Sequence, residues 1–181
     1  MNVVYVTGNE NKAKYFNEMV GLDVMHQAAD VEEIQSLDIE EVVIAKARGA
    51  FEQLKKPVLV EDTFLIFPVL GRLPGTFIKW FLEEVGSEGL CRLADQDPKR
   101  QAVAGAAFCY FDGAKTKVIR SNLEGTIADS PRGDSGFGWN AVFIPDGQDL
   151  TLGQMDDNTF KRYYGQIKPF AAVREMLEML S

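Results

Sequence analysis

The chain has 181 residues and sets 19 Lys+Arg against 27 Asp+Glu, a formal net charge of -8, with an isoelectric point near 4.7. That balance excludes a broad electrostatic footprint for nucleic-acid backbones, so any phosphate it binds must be met at a local site. The length fits a single domain, residues 1–181, built as one body or as two lobes, no apolar stretch nears the roughly 20 residues of a membrane span, and Cys91, Cys109 and His26 are too few for a disulfide framework or a Cys/His metal cluster.

Residues 2–7 read as a short buried strand and lack the basic start, apolar run and cleavage site of a secretory leader, so a cytoplasmic protein is expected. Asn9 can cap a helix over 10–20 whose apolar face is Phe16, Met19 and Val20. Residues 22–27 suggest a second strand. Asp38 starts a helix to about residue 54 with Glu41 at capping-box spacing and a buried stripe of Ile39, Val42, Val43, Ala47, Ala50 and Leu54. Residues 57–60 form a buried strand whose polar end, Glu61-Asp62-Thr63, is expected to reach a cleft. Leu73-Pro74-Gly75 makes a turn, and helices are expected over 76–85 and 87–94. Residues 101–111 and 115–127 flank Asp112-Gly113 as a long antiparallel hairpin, giving a mixed sheet in an α/β protein. A glycine-rich segment, 132–139, precedes a strand at 141–144, and Pro169 opens a terminal helix with Phe170, Val173, Leu177 and Leu180 turned inward.

Three groups of residues bear on chemistry. Thr7-Gly8-Asn9-Glu10-Asn11-Lys12 carries a strand into a helix N-terminus, where free N–H groups, the helix dipole and Lys12 attract phosphate; the same pattern also arises as plain architecture. Glu32-Glu33 and Glu61-Asp62 supply hard oxygen ligands for Mg²⁺ against phosphates and a carboxylate able to take a proton from water, or else they are solvated surface charge. Phe137 and Trp139 among glycines offer either a platform for a planar base or core aromatics.

Taken in order, TGNENK at 7–12, VLVEDTFLIF at 58–67, LPGTFIKWFL at 73–82 and FGWNAVFIPDG at 137–147 closely resemble the inosine triphosphate pyrophosphatase family. That family hydrolyses non-standard purine nucleoside triphosphates to the monophosphate and pyrophosphate. The resemblance implies an elongated, two-lobed α/β fold, with a long twisted mixed sheet flanked by helices and a nucleotide cleft between the lobes. It also implies a homodimer and Mg²⁺ dependence, with Mn²⁺ as a substitute. Carried over to this chain, it makes Thr7, Asn9, Lys12 and Lys46 triphosphate-binding residues, Lys12 and Lys46 serving catalysis as well. Glu33, Glu61 and Asp62 become the metal-ligand set, Asp62 also the base for the attacking water, and Lys79 and Lys161 lie near the substrate. Phe137 and Trp139 fall on the base pocket.

Two departures concern the base. Asn140 stands where the family usually has aspartate, turning an acceptor-only group into one that also donates. The family's C-terminal Ser-His-Arg corresponds without a gap to Gly165, Gln166 and Ile167, while a one-residue gap sets Lys168 opposite the arginine. The resemblance therefore implies retained triphosphate chemistry on a non-standard purine, inosine, xanthosine or a modified purine, while Asn140 and Gln166, which both donate and accept, weaken the preference for a 6-oxo purine and open the pocket to a 6-amino or modified base. A catalytically weak nucleotide-binding or regulatory protein on the same fold is the alternative.

Overall fold

The computed structural model describes residues 2–134 and 138–180. In chain order its elements are β1 (Val4–Val6), α1 (Glu10–Val20), β2 (His26–Gln27), α2 (Ile39–Leu54), β3 (Val58–Ile66), β4 (Pro74–Gly75), α3 (Ile78–Ala94), β5 (Gln101–Phe111), β6 (Thr116–Ile127), β7 (Phe143–Pro145), α4 (Asp157–Ile167) and α5 (Phe170–Met179). The sheet order is β2-β1-β3-β5-β6-β7, with β4 also paired to β3. β1 runs parallel to β2 and β3, whereas β3/β4 and β6/β7 are antiparallel, so the expected α/β class with a mixed sheet is what the chain forms. Two compact units divide the chain: Met1–Asp62, Ala106–Ser121 and Lys168–Ser181 make the first, Thr63–Gly105 and Asn122–Ile167 the second.

In the first unit, the three residues of β1 are all buried and sit in register Val4 to Val58 and Tyr5 to Leu59 of β3. Asn9 caps α1 by accepting from the Lys12 N–H at 3.1 Å, and Gly21 ends the helix in the left-handed conformation that glycine adopts without a Cβ penalty. Phe16 of α1 stacks on Tyr5, ring centroids 4.2 Å apart, and meets Phe108 of β5 at 5.9 Å and Phe170 of α5 at 6.2 Å. Burying each such ring contributes about 1.5–3 kcal/mol, and these rings fix α1 and α5 to the sheet. The α2 stripe is as expected except at its end, where Leu54 is only half-buried. Its cap differs: Asp38 accepts from the Glu40 N–H at 2.9 Å, and Glu41 accepts from the Ser36 hydroxyl at 2.6 Å while Ser36 accepts from the Asp38 N–H at 3.0 Å. Ser36 thus stands between the two members of the expected capping box.

The second unit is organised around one apolar cluster that includes Leu65 and Phe67, Leu90 and Ala94 of α3, Trp139, Phe143 and Ile167. The two helices expected over 76–85 and 87–94 are the two halves of α3, separated at Gly86, whose φ of 65° and ψ of -178° break the helical path. α4 was not expected from the sequence. Asp156 accepts from the N–H groups of Asn158 and Thr159, both at 3.0 Å, and opens a helix that buries Tyr163, Tyr164 and Ile167. Among the described residues no helix is long and apolar enough to cross a membrane.

Candidate functional site

β1 delivers the chain into the Thr7-Gly8-Asn9 turn, and local hydrogen bonds shape it. Thr7 Oγ1 accepts from the Asn9 N–H at 3.1 Å, and Asn9 then caps α1, placing Lys12 in the first helical turn. Thr7 and Asn9 therefore define where Lys12 stands. A cavity of about 230 Å³ opens at this turn, lined among others by Thr7, Gly8, Lys12, Glu33, Lys46 and Glu61.

The expected acidic strand end is not an end. β3 continues through Glu61 and Asp62 to Ile66, so the two carboxylates lie inside a strand, where successive side chains point to opposite faces. They meet different lysines. Glu61 is 5% exposed and its carboxylate takes two ammonium groups: Lys168 donates to both oxygens at 2.9 and 3.0 Å, and Lys12 Nζ lies 2.7 Å from Oε1. Burial by itself would raise the Glu61 carboxyl, but the positive charges of Lys168 and Lys12 and the hydrogen bonds they donate outweigh it and hold it at about 2. Lys168 is 3% exposed. A buried ammonium and a buried carboxylate are tolerated because each neutralises the other.

Lys46 projects from α2 toward the second carboxylate pair. Its Nζ lies 2.6 Å from Glu33 Oε1 and 3.7 Å from Asp62 Oδ2, with the Glu33 side chain half exposed and that of Asp62 less so. Among the described residues no three His, Cys, Asp or Glu side chains gather as a metal cage. Glu33 and Asp62 nevertheless converge on one cationic point, and two carboxylates with phosphate oxygens and water are a donor set that Mg²⁺ accepts. Glu61, expected in the same metal set, has its oxygens on the Lys12 and Lys168 ammoniums, as Glu33 and Asp62 meet that of Lys46.

The remaining sequence-predicted residues belong to the second unit. Lys79 is exposed on α3 with its ammonium 5.1 Å from the ring centroid of its neighbour Trp80. Trp139 is buried, edge-to-face with Phe143 at 5.7 Å, as a core aromatic would be. Phe137 lies outside the described residues. Asn140 is 3% exposed and its Nδ2 has no hydrogen-bond partner among the described residues. On α4, Lys161 pairs with Asp157 at 2.8 Å, and Gln166 is exposed, its amide donating to the Arg162 carbonyl of the same helix at 3.4 Å. Ile167 is fully buried in the core of this unit. Of the two residues set opposite the family's arginine, one is a core aliphatic and the other is bound to Glu61. Sequence reasoning missed Lys168 as a partner of Glu61, and nothing local marks it, since 107 residues separate the two.

Fold and site define an α/β protein with a strand-turn-helix cavity in which lysines and carboxylates alternate, a setting suited to phosphates and a hard divalent cation. Residues 3–176 match the Ham1 family, and the chain belongs to that family. The inosine triphosphate pyrophosphatase of Yarrowia lipolytica is 44% identical over 164 residues, covering 88% of this chain and 86% of that protein. The inosine triphosphate pyrophosphatase of Schizosaccharomyces pombe is 37% identical over 160 residues, covering 86% and 84%. The solved structure of a HAM1 protein from Coxiella burnetii has the same fold, with a TM-score of 0.79 at 22% identity over 99% of this chain and 98% of that one.

Proposed function

We propose that the chain is a Mg²⁺-dependent nucleoside triphosphate pyrophosphohydrolase that cleaves a non-standard purine nucleoside triphosphate, inosine or xanthosine triphosphate or a modified purine, to monophosphate and pyrophosphate. The observation that carries the reading is the convergence of Glu33 and Asp62 on one cationic point beside the helix-borne Lys12. The activity named for the two curated relatives supports it.

Charge arithmetic gives the reading its physical form. Lys12, Lys46 and Lys168 balance Glu33, Glu61 and Asp62, so the site is close to neutral. A triphosphate brings about four negative charges, and a neutral site in an acidic protein needs a further cation to hold it. Glu33 and Asp62 would hold Mg²⁺, or Mn²⁺ in its place; when bound, the ion offsets phosphate charge and acidifies water. Lys46 then turns from the carboxylates to a phosphate oxygen, and Lys12, held beside Glu61 at the α1 N-terminus, meets a second one, where the helix dipole adds to its charge. Thr7 and Asn9 keep the turn that aims it. Asp62 accepts a proton from the attacking water as its oxygen bonds to the α-phosphorus, and the bond to the bridging oxygen breaks to release pyrophosphate. Lys79, Phe137, Trp139, Asn140, Lys161 and Gln166 belong to the base end in this reading, and the unpartnered Nδ2 of Asn140 supports a changed base preference. A cytoplasmic homodimer completes it.

One observation favours a second reading. Gln166 is bonded to its own helix and Ile167 is core, so no counterpart of the family's base clamp stands out on α4, as expected of a nucleotide-binding protein that turns over weakly. Incubation with Mg²⁺ and a panel of inosine, xanthosine, standard and modified triphosphates separates the two. Pyrophosphate released with the monophosphate establishes the hydrolase. Ligand-induced thermal stabilisation without pyrophosphate from any nucleotide establishes the binding protein.

A further inference from the structure

Lys168 lies outside the cavity lining, yet its ammonium reaches both oxygens of Glu61 while Lys12 takes Oε1 from the cavity side. The two lysines are not equivalent. The Lys168 side chain is 4% exposed and that of Lys12 is 35% exposed, so one faces protein and the other faces solvent in the cavity. One carboxylate shared by two ammoniums leaves a net charge of about +1, and the exposed member is where that charge is available. With Lys168 removed, Glu61 would close a neutral pair with Lys12, and the full carboxylate charge would compete with any phosphate for the same ammonium.

We infer that Lys168 is a positioning residue for polyphosphate binding: it neutralises Glu61 from the buried side, so that Glu61 fixes the place of the Lys12 ammonium without cancelling its charge. The inference rests on the reading of Lys12 as a phosphate lysine. It assigns Glu61 to the lysine arrangement and leaves Glu33 and Asp62 as the carboxylates for the metal. It also accounts for a buried lysine immediately before Pro169 and α5, where the chain otherwise packs apolar side chains such as Ile167 and Phe170.

The test is calorimetric binding of inorganic tripolyphosphate with Mg²⁺ to the full chain, together with KM and kcat for the best nucleoside triphosphate. Lys168→Met weakens tripolyphosphate binding and raises KM about tenfold, a loss of about one decade for one charge, while kcat moves by less than about threefold. The double variant Lys168→Met/Glu61→Gln leaves no buried charge unpaired and restores the net charge at Lys12, so its affinity recovers to within about threefold of the parent. Lys168→Arg keeps the charge and retains most of the affinity. A purely structural role predicts lower thermal stability for Lys168→Met with unchanged tripolyphosphate affinity, and no recovery in the double variant; either result overturns the inference. If Lys168→Met does not fold, a double variant that folds but binds no better than Lys12→Ala overturns it equally. Lys12→Ala is the control for the underlying reading: unchanged tripolyphosphate affinity there refutes Lys12 as a phosphate lysine, whereas a loss there with none in Lys168→Met refutes only the role of Lys168.

Discussion

Substituting Glu61→Gln keeps the shape of the side chain and removes its charge, taking from the Lys168 ammonium, 3% exposed, the carboxylate it donates to. Removing one partner of a buried pair costs about 3–5 kcal/mol. The carboxyl itself gives a second route to the magnitude, since it is lowered from 4.5 to about 2 in the folded chain. At about 1.4 kcal/mol per pH unit that difference corresponds to roughly 3 kcal/mol of stability at neutral pH. For a chain of this size each kcal/mol shifts the melting temperature by about 2–4 °C, so Glu61→Gln lowers it by roughly 6–20 °C. Urea titration followed by circular dichroism measures the same loss, with Glu33→Gln as the comparison: that side chain is half exposed, and its pair with Lys46 contributes no more than about 1 kcal/mol. The sign with pH is fixed. A depressed carboxyl binds fewer protons folded than unfolded, so its stabilisation is complete above pH 4.5 and disappears as pH falls through about 2. The gap between parent and Glu61→Gln therefore narrows across that window. Equal cost for Glu61→Gln and Glu33→Gln at pH 7, or a gap that does not change down to pH 2.5, refutes the buried ion pair as a stabilising element.

Asp62→Asn keeps a partly exposed polar side chain on β3 but cannot take a proton, so turnover falls at least about a thousandfold with circular dichroism unchanged; residual turnover near the parent's removes Asp62 from the chemistry. Asn140→Asp replaces an unpartnered buried donor by an acceptor, and the ratio of kcat/KM values between inosine and adenosine triphosphates shifts about tenfold or more, while tripolyphosphate affinity stays put. An unaltered ratio shows that Asn140 does not read the base. Gly133→Ala places a Cβ 2.2 Å from the Gly153 carbonyl oxygen at a φ of +86°, and denaturant titration finds it destabilised by more than about 2 kcal/mol. A loss below about 0.5 kcal/mol would mean that the two backbones do not approach as described.

What could be read from the sequence was local. The 3.6-residue stripe of α2, the Asn9 cap and the Asp112-Gly113 hairpin turn depend on neighbours within a few positions, and there the folded chain follows the pattern closely. α4 is not read from the sequence: Phe160, Tyr163, Tyr164 and Ile167 form one stripe behind Asp156, but Gly165 and an otherwise polar composition weaken its helical signature. β3 went unread past Val60 because two adjacent carboxylates look like the close of a strand. They stay within it because lysines from α1, α2 and the segment before α5 neutralise them, and none of those lysines is near them in sequence. At the site, Lys12, Glu33 and Asp62 stand out in the sequence as types of group, and Lys46 only through the family resemblance. Their pairing does not, since which ammonium meets which carboxylate depends on the fold.

That pairing bears on how a chain of net charge -8 handles an anion at all. Its overall field repels a polyphosphate, and the Debye length of about 8 Å at physiological ionic strength confines any remedy to the site. Three lysines placed without partners would repel one another across the cavity and destabilise the fold before a ligand arrived. Pairing each with a carboxylate removes that cost, but full pairing would also remove the attraction. The arrangement around Glu61 resolves the conflict on one side of the cavity, where one carboxylate stabilises two ammoniums and the surplus charge rests on the exposed one. On the other side Lys46 faces two carboxylates, and the imbalance has the opposite sign. Under the proposed function, a cationic excess at α1 and an anionic excess at Glu33 and Asp62 would suit a ligand that arrives as an anion together with a divalent cation better than either alone.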